Sequence, residues 1–171
     1  QGNHKNGCLI YSIGSEGDFM FENAIQEAIE HDEPCEIHVF DVDNYKGVAP
    51  RHVHFHHWGL KSSKDTHPHP NVPLKSLQET LKILGHEGAV IDIFKIDCEG
   101  CEWTTYHDWV NADVRLNQIL VEVHQVPPEA IGFFTTLQNE GYVTFHKENN
   151  LIGDGSCVEY AFLKLARAFF K

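Results

Sequence analysis

Short, almost wholly apolar runs alternate along this chain with stretches of helical periodicity, and few folds accept that alternation. The apolar runs are residues 8–13, 35–40, 90–96 and 119–123. A strand without a polar side must be covered on both faces, as strands in a parallel sheet are. Between the first two runs, Phe21, Ala24, Ile25, Ala28 and Ile29 recur at i, i+3, i+4, i+7 and i+8, which predicts a helix over 19–31. Asn71 as N-cap, with Pro73 in the first turn, starts a second helix lined by Leu74, Leu77, Leu81 and Leu84 and stopped near Gly85. A third covers 99–110 with Trp103, Tyr106 and Val110 inward, and Pro127-Pro128 opens a fourth through Ile131, Phe134 and Leu137, closed by Gly141. Residues 51–57 alternate Val53 and Phe55 with histidines, the pattern of an edge strand. Residues 142–146 and 157–165 are two last strands with no helix between them, a hairpin that adds one antiparallel strand. The expected fold is α/β: a mostly parallel sheet with helices on both faces.

With 171 residues the chain forms one domain, 1–171, that begins almost directly at its first strand and so reads as trimmed at its N-terminus. Residues 61–70 are polar and rich in His and Pro, the composition of an exposed loop. Asp and Glu number 25 against 13 Lys and Arg, a formal charge of −12. That balance opposes electrostatic attraction to phosphate backbones and anionic lipid, so neither nucleic acid nor membrane is an expected partner. No apolar run nears the ~20 residues that span a bilayer. No leader pattern is visible, and the compartment stays open. Five cysteines at irregular spacing are not a disulfide framework, although they leave room for one bridge.

In such a sheet ligands bind beyond the carboxyl ends of the strands. The residues at those ends are Gly14, Ser15, Glu16 and Gly17, then Asp41 and Asp43, then Asp97 to Glu102, then Glu122 and His124. Gly14 and Gly17 let the backbone turn into a helix and approach a nucleotide-like cofactor, while a plain strand-to-helix turn explains the same residues. An acid closing the second strand, Asp41, suits ribose hydroxyls. Asp97 reads as a general base or as a helix N-cap. Cys98-x-x-Cys101 reads as half a zinc site, a redox pair or two buried apolar cysteines. His124 reads as a base or as a capping residue. His52, His54 and His56 share one face of their strand, with His57, His67 and His69 nearby. No carboxylate or cysteine is evident among them, so a surface strand beside a loop is the reading, with a metal-binding protein as the alternative.

Several of these stretches together resemble a known family. Tyr11-Ser12-Ile13-Gly14-Ser15-Glu16-Gly17-Asp18 with Phe21-Glu22, then Phe40-Asp41, and above all Lys95-Ile96-Asp97-Cys98-Glu99-Gly100 with Glu102-Trp103 are similar to S-adenosylmethionine-dependent methyltransferases of FkbM-like type, in their eukaryotic methyltransferase-like branch. Leu120 to His124, Lys147 to Asn150 and Glu159 to Phe162 fit the same branch, and the likeness runs over nearly the whole chain. It implies the class I methyltransferase fold, a Rossmann-like seven-stranded sheet whose last strand is antiparallel. It further implies that Gly14 to Gly17 cradle the methionine part of S-adenosylmethionine, that Asp41 holds the ribose, and that Asp97 and Glu99 border the transfer pocket. The family often has an acidic residue before its first glycine turn, where this chain has Tyr11 and Ser12. The implied activity is O-methyl transfer to a small-molecule, glycan or protein acceptor, with Asp97 or His124 as base and a divalent metal on that pair as an option. A cofactor-binding or interaction domain with the same fold but without turnover is the other alternative.

Overall fold

The computed structural model describes residues 7–29, 35–151 and 155–170. The strands are Leu9–Ile13 (β1), Glu36–Phe40 (β2), Val53–His56 (β3), Gly59–Leu60 (β4), Leu74–Lys75 (β5), Ala89–Ile96 (β6), Val114–His124 (β7), Tyr142–Asn149 (β8) and Cys157–Lys164 (β9). The helices are Met20–Ala28 (α1), Leu77–Leu84 (α2), Glu102–Asn111 (α3) and Ala130–Asn139 (α4), followed by a short 3-10 turn, Arg167–Phe170. The main sheet has seven strands in the order β3-β2-β1-β6-β7-β9-β8. All its pairs are parallel except those of β9, which runs against both β7 and β8. This is the Rossmann-like arrangement that the resemblance implied, mostly parallel with one antiparallel strand. The chain reverses at β1, with β2 on one side and β6 on the other, so the carboxyl ends of these three strands face one crevice.

The apolar runs behave as a doubly covered sheet requires. Every residue of β1 is buried. Ile10, Ile37 and Val39 pack with Phe21, Ile25 and Ile29 of the α1 segment on one face. Leu9, Tyr11, Ile13, Phe40 and Phe94 face the other way, against Leu77 and Leu81 of α2, Trp109 of α3, and Phe133 and Leu137 of α4. Phe133 anchors that side, edge-on to Trp103, Tyr106, Trp109 and Phe134 at centroid distances of 5.1–5.8 Å; such contacts add to area burial. The expected helix end at His31 and the break at 32–34 lie outside the described residues. No helix among the described residues is long and apolar enough to cross a membrane.

Two local readings are corrected. α2 starts at Ser76 rather than at Asn71, because Leu74–Lys75 is drawn into a two-residue parallel pairing with Gly59–Leu60. Ser76 then makes a capping box: its hydroxyl accepts from the Glu79 N–H at 3.2 Å, and its own N–H donates to Glu79 Oε2 at 2.7 Å. Ser76→Ala should therefore lower stability by about 1 kcal/mol. Thermal denaturation would register that as a fall of roughly 2–4 °C. The cysteines form two bridges, where the sequence left room for one: Cys8 with Cys35 ahead of the adjacent strands β1 and β2, and Cys98 with Cys101.

Candidate active site

The strand ends open into a single cleft of about 550 Å³, a size ordinary for small-molecule sites. The backbone ladder that forms its floor continues past the strands. Gly14 N–H donates to the Phe40 carbonyl at 2.9 Å, and Asp97 N–H donates to the Ile13 carbonyl at 2.9 Å. Gly14, Asp41 and Asp97 are thereby held side by side.

Asp41 is the clamp of the glycine turn. Its Oδ2 accepts from Ser15 N–H at 2.8 Å, Ser15 Oγ–H at 3.1 Å and Glu16 N–H at 3.0 Å, and its Oδ1 accepts from Asp43 N–H at 2.9 Å. An ionised carboxylate offers about four acceptor positions, so Oδ2 is filled and one position on Oδ1 is left for a ligand. Of the residues expected to cradle a cofactor, Gly14, Glu16, Asp41 and Asp97 line the cleft. Ser15 does not; its N–H and hydroxyl are committed to Asp41. Nor does Gly17, which packs on the Tyr45 ring and sets the place of that side chain in the cleft wall.

Beyond β6 and β7 stands the second half of the site. His124 Nδ1 lies 3.1 Å from Glu102 Oε1, and a fully buried carboxylate in that position fixes the ring proton on Nδ1. Glu102 Oε1 also accepts from His124 N–H at 2.8 Å, its Oε2 accepts from Gly100 N–H at 2.9 Å, and Trp103 Nε1–H donates to the His124 carbonyl at 2.7 Å. The ring so held turns Nε2 towards Glu99 at 3.5 Å, Asp97 at 3.7 Å and Glu122 at 3.9 Å. Glu99 reaches this position with φ of +55°, in the left-handed region that non-glycine residues seldom occupy.

The electrostatics follow from six carboxylates around one cleft. Glu16, Asp41, Asp43, Asp97, Glu99 and Glu122 line the cleft, and among the described residues no Lys or Arg does. Burial, reinforced by Glu122 and Glu99 against Lys95 and His124, raises the Asp97 carboxyl to about 6. Burial alone would lower the His124 imidazole, but Glu102, then Glu99 and Asp97, raise it above its usual value. Glu159, opposite Glu122 in the β7–β9 register, is raised by burial and then by Glu122 and Asp97.

Three contributors were not singled out from the sequence. Glu102 was visible only as part of the Lys95 to Trp103 run, and its carboxylate is what orients His124. Asn150 and Cys157 line the cleft because β9 is antiparallel: its start, and the end of β8, arrive at the edge where parallel strands finish. Searching only strand ends passes over Cys157, which opens its strand, while Asn150 follows the end of β8. Cys98 and Cys101, left open between zinc, redox and packing readings, are a bridged pair in the cleft wall. None of the histidines 52, 54, 56, 57, 67 and 69 lines it. Carboxylates do meet them, contrary to expectation. Asp65 lies 2.6 Å from His69 and 3.3 Å from His67, and Glu36 meets the ring His38 that stacks on His54 and His56.

A family model described as a methyltransferase domain matches residues 2–164. No curated protein matches. Among solved structures, TrmK of M. capricolum, determined with its natural cofactor product S-adenosyl-homocysteine, shares the fold with a TM-score of 0.56 at 12% identity. The match covers 92% of this chain and 62% of TrmK, so the chain spans less than two thirds of that protein. One expectation falls here. Net charge was read as excluding nucleic acid, yet TrmK, with this fold, acts on RNA. A total charge says nothing of the local field at a site, and the exclusion is withdrawn.

Proposed function

This chain belongs to the methyltransferase-domain family, and from that premise we propose that it is an S-adenosylmethionine-dependent methyltransferase acting on a hydroxyl oxygen. One observation carries the reading: the Asp41-clamped glycine turn and the Asp97–His124–Glu102 group stand in the same acidic cleft. The cofactor is S-adenosylmethionine. Its positively charged sulfur makes the attached methyl electrophilic, and a cleft whose six lining carboxylates outnumber the nearby Lys95 suits that charge. Gly14 lines the cleft and lets β1 close on the Asp97 backbone, where a Cβ would stand 1.6 Å from the Asp97 carbonyl oxygen, and Asp41 Oδ1 has an acceptor position for a ribose hydroxyl.

Asp97 is the base. Its carboxyl, held at about 6, is ionised at neutral pH yet basic enough to take a proton from an acceptor hydroxyl as its oxygen attacks. His124, fixed by Glu102, stands beside it and supports the negative charge of the carboxylates around the acceptor. Glu99 borders the same pocket from the exposed side. Asp97, Glu99 and His124 also bring three ligand atoms within 4.8 Å of one another, a donor set that fits a divalent ion. Such an ion would lower the pKa of a bound hydroxyl there. The acceptor is a hydroxyl of a small molecule, a glycan or a protein, with a nucleic-acid hydroxyl no longer set aside, and the FkbM-like type is supported by the run from Lys95 to Trp103.

Calorimetry tests the cofactor. One equivalent of S-adenosylmethionine or S-adenosylhomocysteine should bind, and Asp41→Asn should weaken both about tenfold by removing the turn clamp and the ribose acceptor. Absence of heat with either ligand would sink the reading. Methyl-labelled cofactor with pools of hydroxyl and amine acceptors tests the chemistry, and label found on nitrogen would overturn the assignment to oxygen.

A further inference from the structure

Away from the cleft, on the face of the sheet that α2 covers, histidines and one carboxylate converge. Glu36 and His38 are two apart on β2 and share a face. His86 comes from the turn after α2, where its N–H donates to the Leu81 carbonyl at 2.9 Å and its own carbonyl accepts from Ala89 N–H at 3.1 Å. Gly85, left-handed at φ +73°, makes that turn, so the backbone of His86 is pinned on both sides. Glu36 Oε1 lies 2.8 Å from His38 Nε2 and 3.6 Å from His86 Nε2. The three ligand atoms all fall within 4.8 Å of one another.

We propose that Glu36, His38 and His86 form a zinc site that ties β2 to the end of α2. The observed separations bracket the edge of about 3.3 Å expected for a tetrahedron with bonds of about 2.0–2.1 Å. Two imidazoles and a carboxylate are donors that zinc accepts, with water in the fourth position. The second, independent observation is what holds the rings. His38 Nδ1 lies 2.8 Å from His56 Nε2, and His86 Nδ1 lies 2.7 Å from the Tyr11 hydroxyl. Each imidazole thus has its far nitrogen engaged and its near nitrogen aimed at one point, which is how metal-binding histidines are oriented. His38 is further locked by stacking on His56 at 5.0 Å and 5°. The site is reachable: the Glu36 side chain is 35% exposed and that of His86 16%. None of these residues lines the cleft. Glu36 opens β2 and Asp41 follows its far end, about 16 Å away at the usual rise per residue. The site stands apart from the proposed methyl transfer and does not depend on it.

Zinc titration of chelator-treated protein, with cobalt(II) as spectroscopic probe, tests it. Wild-type protein should bind zinc at this site, and the cobalt form should show ligand-field bands without the charge-transfer band that a thiolate ligand gives. Glu36→Gln and His86→Asn should each weaken zinc at least tenfold. His124→Asn, which alters the cleft donors alone, should leave these bands and this affinity in place. Near-ultraviolet circular dichroism establishes that each variant is folded, and Glu36→Gln, at a partly exposed position, keeps the test decisive if His86→Asn is not. No uptake at 100-fold excess of zinc overturns the proposal. So does uptake that Glu36→Gln leaves undiminished, or that His124→Asn abolishes.

Discussion

Asp97→Asn should lower turnover by about 10²–10⁴-fold and, above pH 6, make the protein more stable than the wild type. Both effects have one cause. The carboxyl titrates at about 6 in the folded chain against 3.8 as the model-compound value. Stability from a group raised in this way is complete below about pH 4 and is lost as pH rises through 6, where the folded chain must ionise a carboxyl that burial disfavours. A shift of about two units corresponds to about 3 kcal/mol. The side chain is 35% exposed, and solvent screening reduces the expected gain on substitution to about 1–2 kcal/mol. Asparagine fills nearly the same space, stays neutral at every pH and cannot accept the proton. Urea denaturation at pH 7.5 and pH 4.5 should therefore show a gain at the first pH that shrinks at the second, while kcat/KM of the wild type rises through an apparent pKa near 6. A variant less stable than wild type at pH 7.5 would refute the burial of an ionised Asp97. Unimpaired turnover would remove it from the chemistry.

The sequence carried the fold in its periodicities because each was enforced by burial. Ile10, Ile37 and Val39 have α1 behind them, and Leu9, Tyr11 and Phe40 have α2. No alternative register hides both sets, so strand identity could be read directly. The β-β ending was equally legible and delivered the antiparallel strand. Where the reading slipped, a tertiary contact overrode a local signal. Pro73 after Asn71 is a sound helix start, yet Leu74–Lys75 gains more by pairing with Gly59–Leu60, and the capping box at Ser76 was equally present in the letters.

The site was legible as positions and not as roles. Asp41 was found by its place at the end of β2, but its three hydrogen bonds into the turn depend on how the Ser15–Glu16 backbone folds back. His124 was found in the same way. Its orientation depends on Glu102, the first residue of α3, and that pairing is a contact across 22 residues. The histidines of β3 were read alone because their partners lie elsewhere in sequence. His38 is 18 residues from His56, and His86 is 75 from Tyr11. Chemistry assembled from one strand each on several elements leaves no local pattern to detect.

Gly14→Ala should be the most damaging glycine-to-alanine change among the described residues. A Cβ built at Gly14 would stand 1.6 Å from the Asp97 carbonyl oxygen and 2.8 Å from its carbonyl carbon. Both are backbone atoms of the neighbouring strand end, so no rotamer change can make room. Gly14 also has φ +77°, which costs any other residue about 1 kcal/mol before the clash is counted. Relief requires β1 and β6 to part where Asp97 N–H meets the Ile13 carbonyl, and the shift of Gly14 also strains its N–H bond to the Phe40 carbonyl of β2, so the floor that aligns Asp41 with Asp97 is lost. The expected loss is more than about 3 kcal/mol, in the range reserved for overpacking against an unyielding backbone. Any protein that still folds should bind S-adenosylhomocysteine at least 100-fold more weakly. Gly100→Ala isolates the conformational part of this cost. Its φ is +106°, yet nothing lies within 4 Å of the added Cβ, so only backbone strain remains. Urea denaturation of the two variants side by side measures the difference. Equal stabilities would mean that β1 and β6 do not approach as closely at the cleft floor as described, and the alignment of Gly14 with Asp97 on which the site rests would fall with them.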